Sequence, residues 1–160
     1  SSAASDVYKR QVLSTSSRKG AQMSQVGIVI VSHSHKLATA AVDLVAQMVS
    51  EETRPPVRVA AGLDETTLGT DAAAVSAAIE ELSECPGILV LVDLGSAILS
   101  AQMALDFVDP ELASTVTISP APLVEGLFAA LITASTGAPL EAVASEAANA
   151  LSPKQSQLAD

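Results

Sequence analysis

The sequence predicts an α/β domain built on an open, mainly parallel β-sheet with helices on both faces. Three observations predict it. The runs GIVIV (27–31) and ILVLV (88–92) are continuous and rich in β-branched or aliphatic residues, as strands buried on both faces must be. Segments with helical apolar spacing lie between the runs, and helix-length crossovers make successive strands parallel. Finally, hydrophobic residues make up 49% of the chain but aromatics only 2%, so the core is aliphatic and alanine-rich helices can approach the sheet closely.

The elements follow in order. After GIVIV, the residues Leu37, Ala40, Ala41, Leu44, Val45 and Met48 keep helical spacing until Pro55-Pro56. VRVAAG (57–62) reads as a second strand, followed by the loop LDETTLG. Thr70 is the expected N-cap of a helix over about 71–82, with Asp71 favourable at its positive end. Pro86-Gly87 punctuates the chain before ILVLV, and a helix is expected from about Ser96 to Phe107. STVTIS (114–119) reads as a short strand. Two helices close the pattern, about 123–135 and 140–151, separated by Thr136-Gly137-Ala138-Pro139. The resulting order is β-α-β-α-β-α-β-α-α. One domain is expected over residues 23–153. Residues 1–22 read as a disordered tail or non-native extension, being Ser-rich, basic and without period, and 154–160 as a C-terminal tail.

Charge narrows the function classes. The chain has 8 basic and 18 acidic residues, and from Met23 onward 4 basic residues face 17 acidic ones. A nucleic-acid backbone or an anionic membrane surface needs clustered Lys and Arg, so neither is expected as a partner. No apolar run reaches the roughly 18 residues that span a bilayer. The single cysteine, Cys85, excludes an intrachain disulfide and reads as a structural bystander, which fits a reducing, cytoplasmic setting.

The chemistry-bearing residues gather at strand ends. In open parallel sheets ligands bind beyond the carboxyl ends of the strands. The first strand ends in Ser32-His33-Ser34-His35, which holds both histidines of the chain, and the third ends in Asp93-Leu94-Gly95-Ser96. His33 and Asp93 can therefore be neighbours across sixty residues. An imidazole with a carboxylate on one ring nitrogen has a fixed tautomer and a free lone pair on the other, which makes it a nucleophile at neutral pH. Gly95 and Ser96 at a helix start, and the turn from Ser34, can offer amide donors to a phosphoryl group. Read from spacing alone, the other meaning stays open: a histidine closing a buried strand and a DLG turn with a cap. His-x-His with scattered acids and no Cys cluster does not make a metal site, so no metal is expected. No Walker A motif, no G-x-G-x-x-G after a strand and no G-x-S-x-G elbow is present.

Four segments in this order, IVSHSHKLA, AAG with GTDAAAV, LVLVDLGSAILSAQMAL and APLVEGLFAALITASTGAPLEAV, carry a resemblance. Over about residues 26–151 the chain resembles the phosphotransferase subunits of phosphoenolpyruvate-dependent dihydroxyacetone kinases, in their mannose-type enzyme IIA domain. The resemblance implies a phosphorelay protein. His33 would accept a phosphoryl group from the phosphocarrier HPr and pass it to ADP held, with magnesium, on the kinase's nucleotide-binding subunit, this chain binding no cofactor itself. Asp93 matches the family's orienting carboxylate, Gly95 and Ser96 its phosphate-facing loop, and Gly69-Thr70 a further loop near the site. Ser34 lies in the same motif, and His35 falls where the motif varies. The resemblance also implies a homodimer; with Nδ1 facing Asp93, modification is expected at Nε2. Alternatives kept open are the enzyme IIA domain of a mannose- or fructose-type sugar transporter, against which VDLGSA argues, and a non-catalytic regulatory module.

Overall fold

The computed structural model describes residues 23–159. The tail or extension expected over 1–22 lies outside them. Four parallel strands, β1 (Gly27–Ser32), β2 (Val57–Ala61), β3 (Ile88–Val92) and β4 (Val116–Ile118), form one sheet in the order β2-β1-β3-β4. Helix α1 (His35–Ala46) joins β1 to β2, and α2 (Ala72–Glu81) joins β2 to β3. Between β3 and β4 lie α3 (Gly95–Phe107) and the short α4 (Pro110–Ala113). Helices α5 (Leu123–Ser135), α6 (Leu140–Ala148) and α7 (Ser152–Leu158) follow β4.

The predicted alternation of helices and strands is present with two additions. Asp109 caps α4 by accepting from the Glu111 N–H (2.9 Å), with Pro110 at its first position, where a missing N–H costs nothing. Helix α7 crosses the boundary expected at residue 153, and Lys154 on it reaches Glu125 of α5 at 3.7 Å. The N-cap of α2 is Asp71, not Thr70: the Asp71 carboxylate accepts from Ala73 N–H at 3.0 Å. Both residue types cap helices well, and the helix begins one residue later than the sequence suggests.

Strand side chains alternate between two aliphatic cores. Ile28, Ile30, Leu89 and Leu91 pack on one face with Ala38, Ala41 and Val45 of α1 and with Leu127, Ala130 and Leu131 of α5. Val29, Val31, Val90 and Val92 pack on the other with Val75 and Ile79 of α2 and with Ala97, Ala101 and Ala104 of α3. Each helix turns alanines to the sheet, which brings its axis close without aromatic filling. Both phenylalanines, Phe107 and Phe128, are outside these cores. Gly126 in α5 marks the tightest approach: a Cβ there would lie 2.7 Å from Ala121 Cβ and 3.4 Å from Leu91 Cδ2. Cys85 is buried beside Met23 (Sγ···Sδ 3.7 Å), and burial raises its thiol pKa, as a packing residue's should be.

The strand order places the site. The chain leaves β1 toward one edge of the sheet and leaves β3 toward the other. The loops after β1 and β3 therefore diverge, and the crevice between them is the topological switch point at which such sheets bind ligands.

Candidate active site

Ser32, the last residue of β1, is fully buried, and the backbone of Asp93 extends the β1–β3 ladder by donating to Val31 C=O at 3.1 Å. Asp93 is thereby brought opposite the Ser32-His33 turn. Its side chain is only 9% exposed and gathers four donors. Oδ2 accepts from the Ser32 hydroxyl (2.8 Å) and the His33 amide (2.9 Å). Oδ1 accepts from the Leu94 amide (2.6 Å) and faces His33 Nδ1 at 2.9 Å. Ser32 Oγ in turn accepts from the Ser34 amide at 3.1 Å, which fixes the turn that presents the imidazole.

Burial raises the Asp93 pKa, but the His33 amide and ring, the Ser32 hydroxyl and the Leu94 amide together outweigh it and hold the carboxyl below its ordinary value. The group is ionised at neutral pH. An ionised carboxylate only accepts hydrogen bonds, so the proton of a neutral His33 ring sits on Nδ1. Nε2 is left with its lone pair, facing the Ser96 hydroxyl. The ring is 28% exposed, so Nε2 is within reach of an incoming group.

Ser96 belongs to the first turn of α3, whose N-cap residue Leu94 supplies no side-chain cap. A Cβ built at Gly95 meets nothing within 4 Å, so the space before this helix end is open. Helix α1 differs: the Ser34 hydroxyl accepts from the Leu37 amide (3.1 Å) and is committed to capping. His35 is the first residue of α1 and is half-buried.

The segment 62–70 wraps the same turn. Gly62 N–H donates to Ser32 C=O (3.0 Å) and Gly69 N–H to His33 C=O (2.9 Å). Both glycines have positive φ, +71° and +144°, a conformation that side chains make costly. Within the loop the Asp64 carboxylate accepts from the amides and hydroxyls of Thr66 and Thr67, and these bonds lower its pKa. Thr70 places its hydroxyl 2.7 Å from that of Ser100 on α3.

Of the residues singled out by sequence, Asp93 and Ser96 each meet the His33 ring, Gly95 fronts the opening, Thr70 meets α3 at Ser100, one turn beyond Ser96, and Ser34 is spent on its cap. Ser32 and Ser100 were not foreseen. A buried serine ending an otherwise aliphatic strand was the available signal for Ser32. Nothing local marked Ser100.

A family model described as the PTS system fructose IIA component (EIIA-man) matches residues 27–144. The chain belongs to this family. Among curated relatives of this enzyme IIA chain is a protein of Providencia stuartii named "PEP-dependent dihydroxyacetone kinase, phosphoryl donor subunit DhaM", 47% identical over 137 residues. That alignment covers 84% of this chain but 28% of the relative, so the chain spans just over a quarter of that protein's length. A Listeria innocua protein, "PEP-dependent dihydroxyacetone kinase 2, phosphoryl donor subunit DhaM", is 35% identical, with 78% of this chain and 98% of the relative covered. Among solved structures, that of a protein of unknown function, EF1359, superposes with a TM-score of 0.68 at 30% identity, covering 78% of this chain and 94% of the other. Among the described residues no helix is long and apolar enough to cross a membrane.

Proposed function

We propose that the chain is the phosphoryl-relay domain of a phosphoenolpyruvate-dependent dihydroxyacetone kinase system, working through a phosphohistidine at His33. The observation that carries this reading is the imidazole held through Nδ1 by ionised Asp93, with Nε2 turned toward Ser96 and the open start of α3. The names of the Providencia and Listeria relatives support the choice of system.

In the first half-reaction the Nε2 lone pair attacks the phosphorus of phosphorylated HPr. The P–N bond to the donor imidazole breaks as the P–Nε2 bond forms. The donor ring, protonated on its other nitrogen, leaves neutral, and the positive charge passes to the His33 ring. Its Nδ1 proton stays against Asp93, whose charge stabilises the cation where it develops. Ser96 releases Nε2 and turns its hydroxyl to a phosphoryl oxygen, beside the first-turn amides of α3. In the second half-reaction a β-phosphate oxygen of ADP attacks the phosphorus, the P–Nε2 bond breaks and its electron pair returns to Nε2. The nucleotide and its magnesium belong to the partner subunit in this reading, which is a cytoplasmic one. As elsewhere in phosphoryl transfer, the protein positions groups and stabilises charge.

A homodimer is part of the proposal. Val124, Phe128 and Ile132 on α5, Leu37 and Leu44 on α1, and Met48 just beyond its C-terminal end form neighbouring exposed apolar stripes, larger than isolated surface residues require. A monomer mass by light scattering at micromolar concentration would count against it.

The relay is tested by incubating wild type, His33→Ala and His35→Ala with phosphoenolpyruvate, enzyme I and HPr. The expected result is an acid-labile label on wild type and His35→Ala and none on His33→Ala, discharged by the ADP-loaded kinase subunit. A sugar-specific IIB protein that discharges the label while the kinase subunit does not would favour the sugar-transport branch, the one named in the family description. No label on folded wild type would leave a regulatory module as the better account.

A further inference from the structure

The His33 imidazole is held by a closed circuit of contacts, two of whose members have no role in the chemistry described above. From the ring, Nε2 meets Ser96 Oγ. One helical turn further along α3, Ser100 stands on the same face as Ser96, because residues four apart are neighbours on a helix. Ser100 Oγ meets Thr70 Oγ1 at 2.7 Å, and the contact is partly buried. Thr70 follows Gly69, whose N–H returns to His33 C=O at 2.9 Å. The circuit ties the imidazole, the first turns of α3 and the 62–70 loop into one unit. The loop itself is stiff, being pinned at Gly62 and Gly69 and braced inside by Asp64.

We propose that Ser100 and Thr70 are positioning residues for the His33 imidazole: their hydroxyl pair clasps the 62–70 loop to α3 and thereby sets where the Ser96 hydroxyl meets Nε2. The importance of that setting for phosphoryl transfer rests on the relay reading above. The clasp gives Ser96 a fixed starting point from which to exchange Nε2 for a phosphoryl oxygen. Without it, α3 and the loop can shift independently, and the hydroxyl meets Nε2 over a range of orientations. An N–P bond forms only through a narrow approach, so such a spread lowers the rate of transfer and leaves encounter with the donor protein unchanged.

The experiment uses the full chain and two readouts. The first is the side-chain nitrogen NMR spectrum of unphosphorylated protein, which contains only two imidazoles. Ser100→Ala and Thr70→Val are expected to move the His33 Nε2 resonance in the direction in which Ser96→Ala moves it. Thr70→Ser, which keeps the hydroxyl, should leave it in place. The second readout is transfer from phosphorylated HPr. Each clasp variant should lose about fivefold in kcat, the size of one hydrogen bond, with KM within about twofold of wild type. The double variant should lose no more than either single one, since both break the same link. Unshifted His33 resonances in both single variants, fully additive losses, or a loss confined to KM would overturn the clasp. If wild type takes no label while the resonances move as described, the clasp stands and the relay reading falls. If wild type is labelled and the resonances stay in place, the reverse holds.

Discussion

Two regions of this molecule are built on opposite rules. At the carboxyl ends of β1 and β3, directional hydrogen bonds set the geometry, and one carboxylate accepts four of them. Between α1, α5 and α7 lies a groove of about 700 Å³ whose walls include Leu44, Met48, Val124, Phe128 and Ile132. The first region fixes one ring in one orientation. The second offers area and shape with little direction. Directional contacts fail singly and severely, because removing one partner strands another; dispersed apolar contacts fail gradually. That contrast orders the expected effects of substitution.

The largest effect belongs to Asp93→Asn. Its amide cannot accept at both former oxygens, so the His33 tautomer is no longer enforced, and phosphoryl acceptance should fall by on the order of 100-fold or more in a rapid-quench assay. The same substitution tests the charge. Because the carboxyl is held below its ordinary pKa in the folded state, it contributes stability above the unfolded value of about 3.9 that is lost as pH falls through the folded one. Wild type should therefore show a decline in unfolding free energy with acid in that window, and the Asn variant a shallower one. Equal slopes in urea titrations at several pH values would remove Asp93 from that role.

Next comes the groove. Leu44→Ser with Phe128→Ser should raise the dissociation constant of the proposed dimer by about 100-fold, since two half-exposed apolar side chains cover on the order of 3 kcal/mol of surface between them. Phosphorylation at His33 should persist in the resulting monomer. Loss of labelling with an intact fold would mean that the two regions are coupled and the contrast is too sharp.

A smaller effect is expected at Gly126→Ala. The added methyl would sit 2.7 Å from Ala121 Cβ, which cannot rotate away, so overpacking of about 1–3 kcal/mol outweighs the helix-propensity gain of about 1 kcal/mol. A raised melting temperature would show that α5 can slide on the sheet. The smallest effect is Asp64→Ala. It should speed amide exchange at Thr66 and Thr67 with no measurable change in global unfolding, and protected amides there would show that the loop needs no brace.

The sequence made some of this legible and left some hidden, for physical reasons. Buried parallel strands announce themselves as unbroken aliphatic runs, and the runs 27–31 and 88–92 match β1 and β3 to within one residue. The His33–Asp93 meeting was also legible, because strand order obliges the loops after two such runs to face one crevice. Helices α4 and α7, of four and seven residues, are too short for a period to register. The Thr70–Ser100 contact depends on the rotation of α3 against a loop thirty residues away, which no local pattern encodes. The α2 cap turned on a choice between adjacent Thr70 and Asp71, two residues with similar capping strength. At Thr70, the competing side-chain partner became visible only in three dimensions.

The order β2-β1-β3-β4 has a kinetic corollary. The neighbours β1 and β3 are joined through a helix, an edge strand and another helix, so His33 gains its carboxylate only after the chain has closed a loop of 60 residues. Such distant pairings are made late, because chain entropy is lost before contacts repay it. A nascent chain that has emerged only as far as α2 already exposes His33 but has no Asp93 to orient it. In the proposed relay, competence to take a phosphoryl group thus appears as the central strand pair closes, and its first appearance during refolding would time that closure.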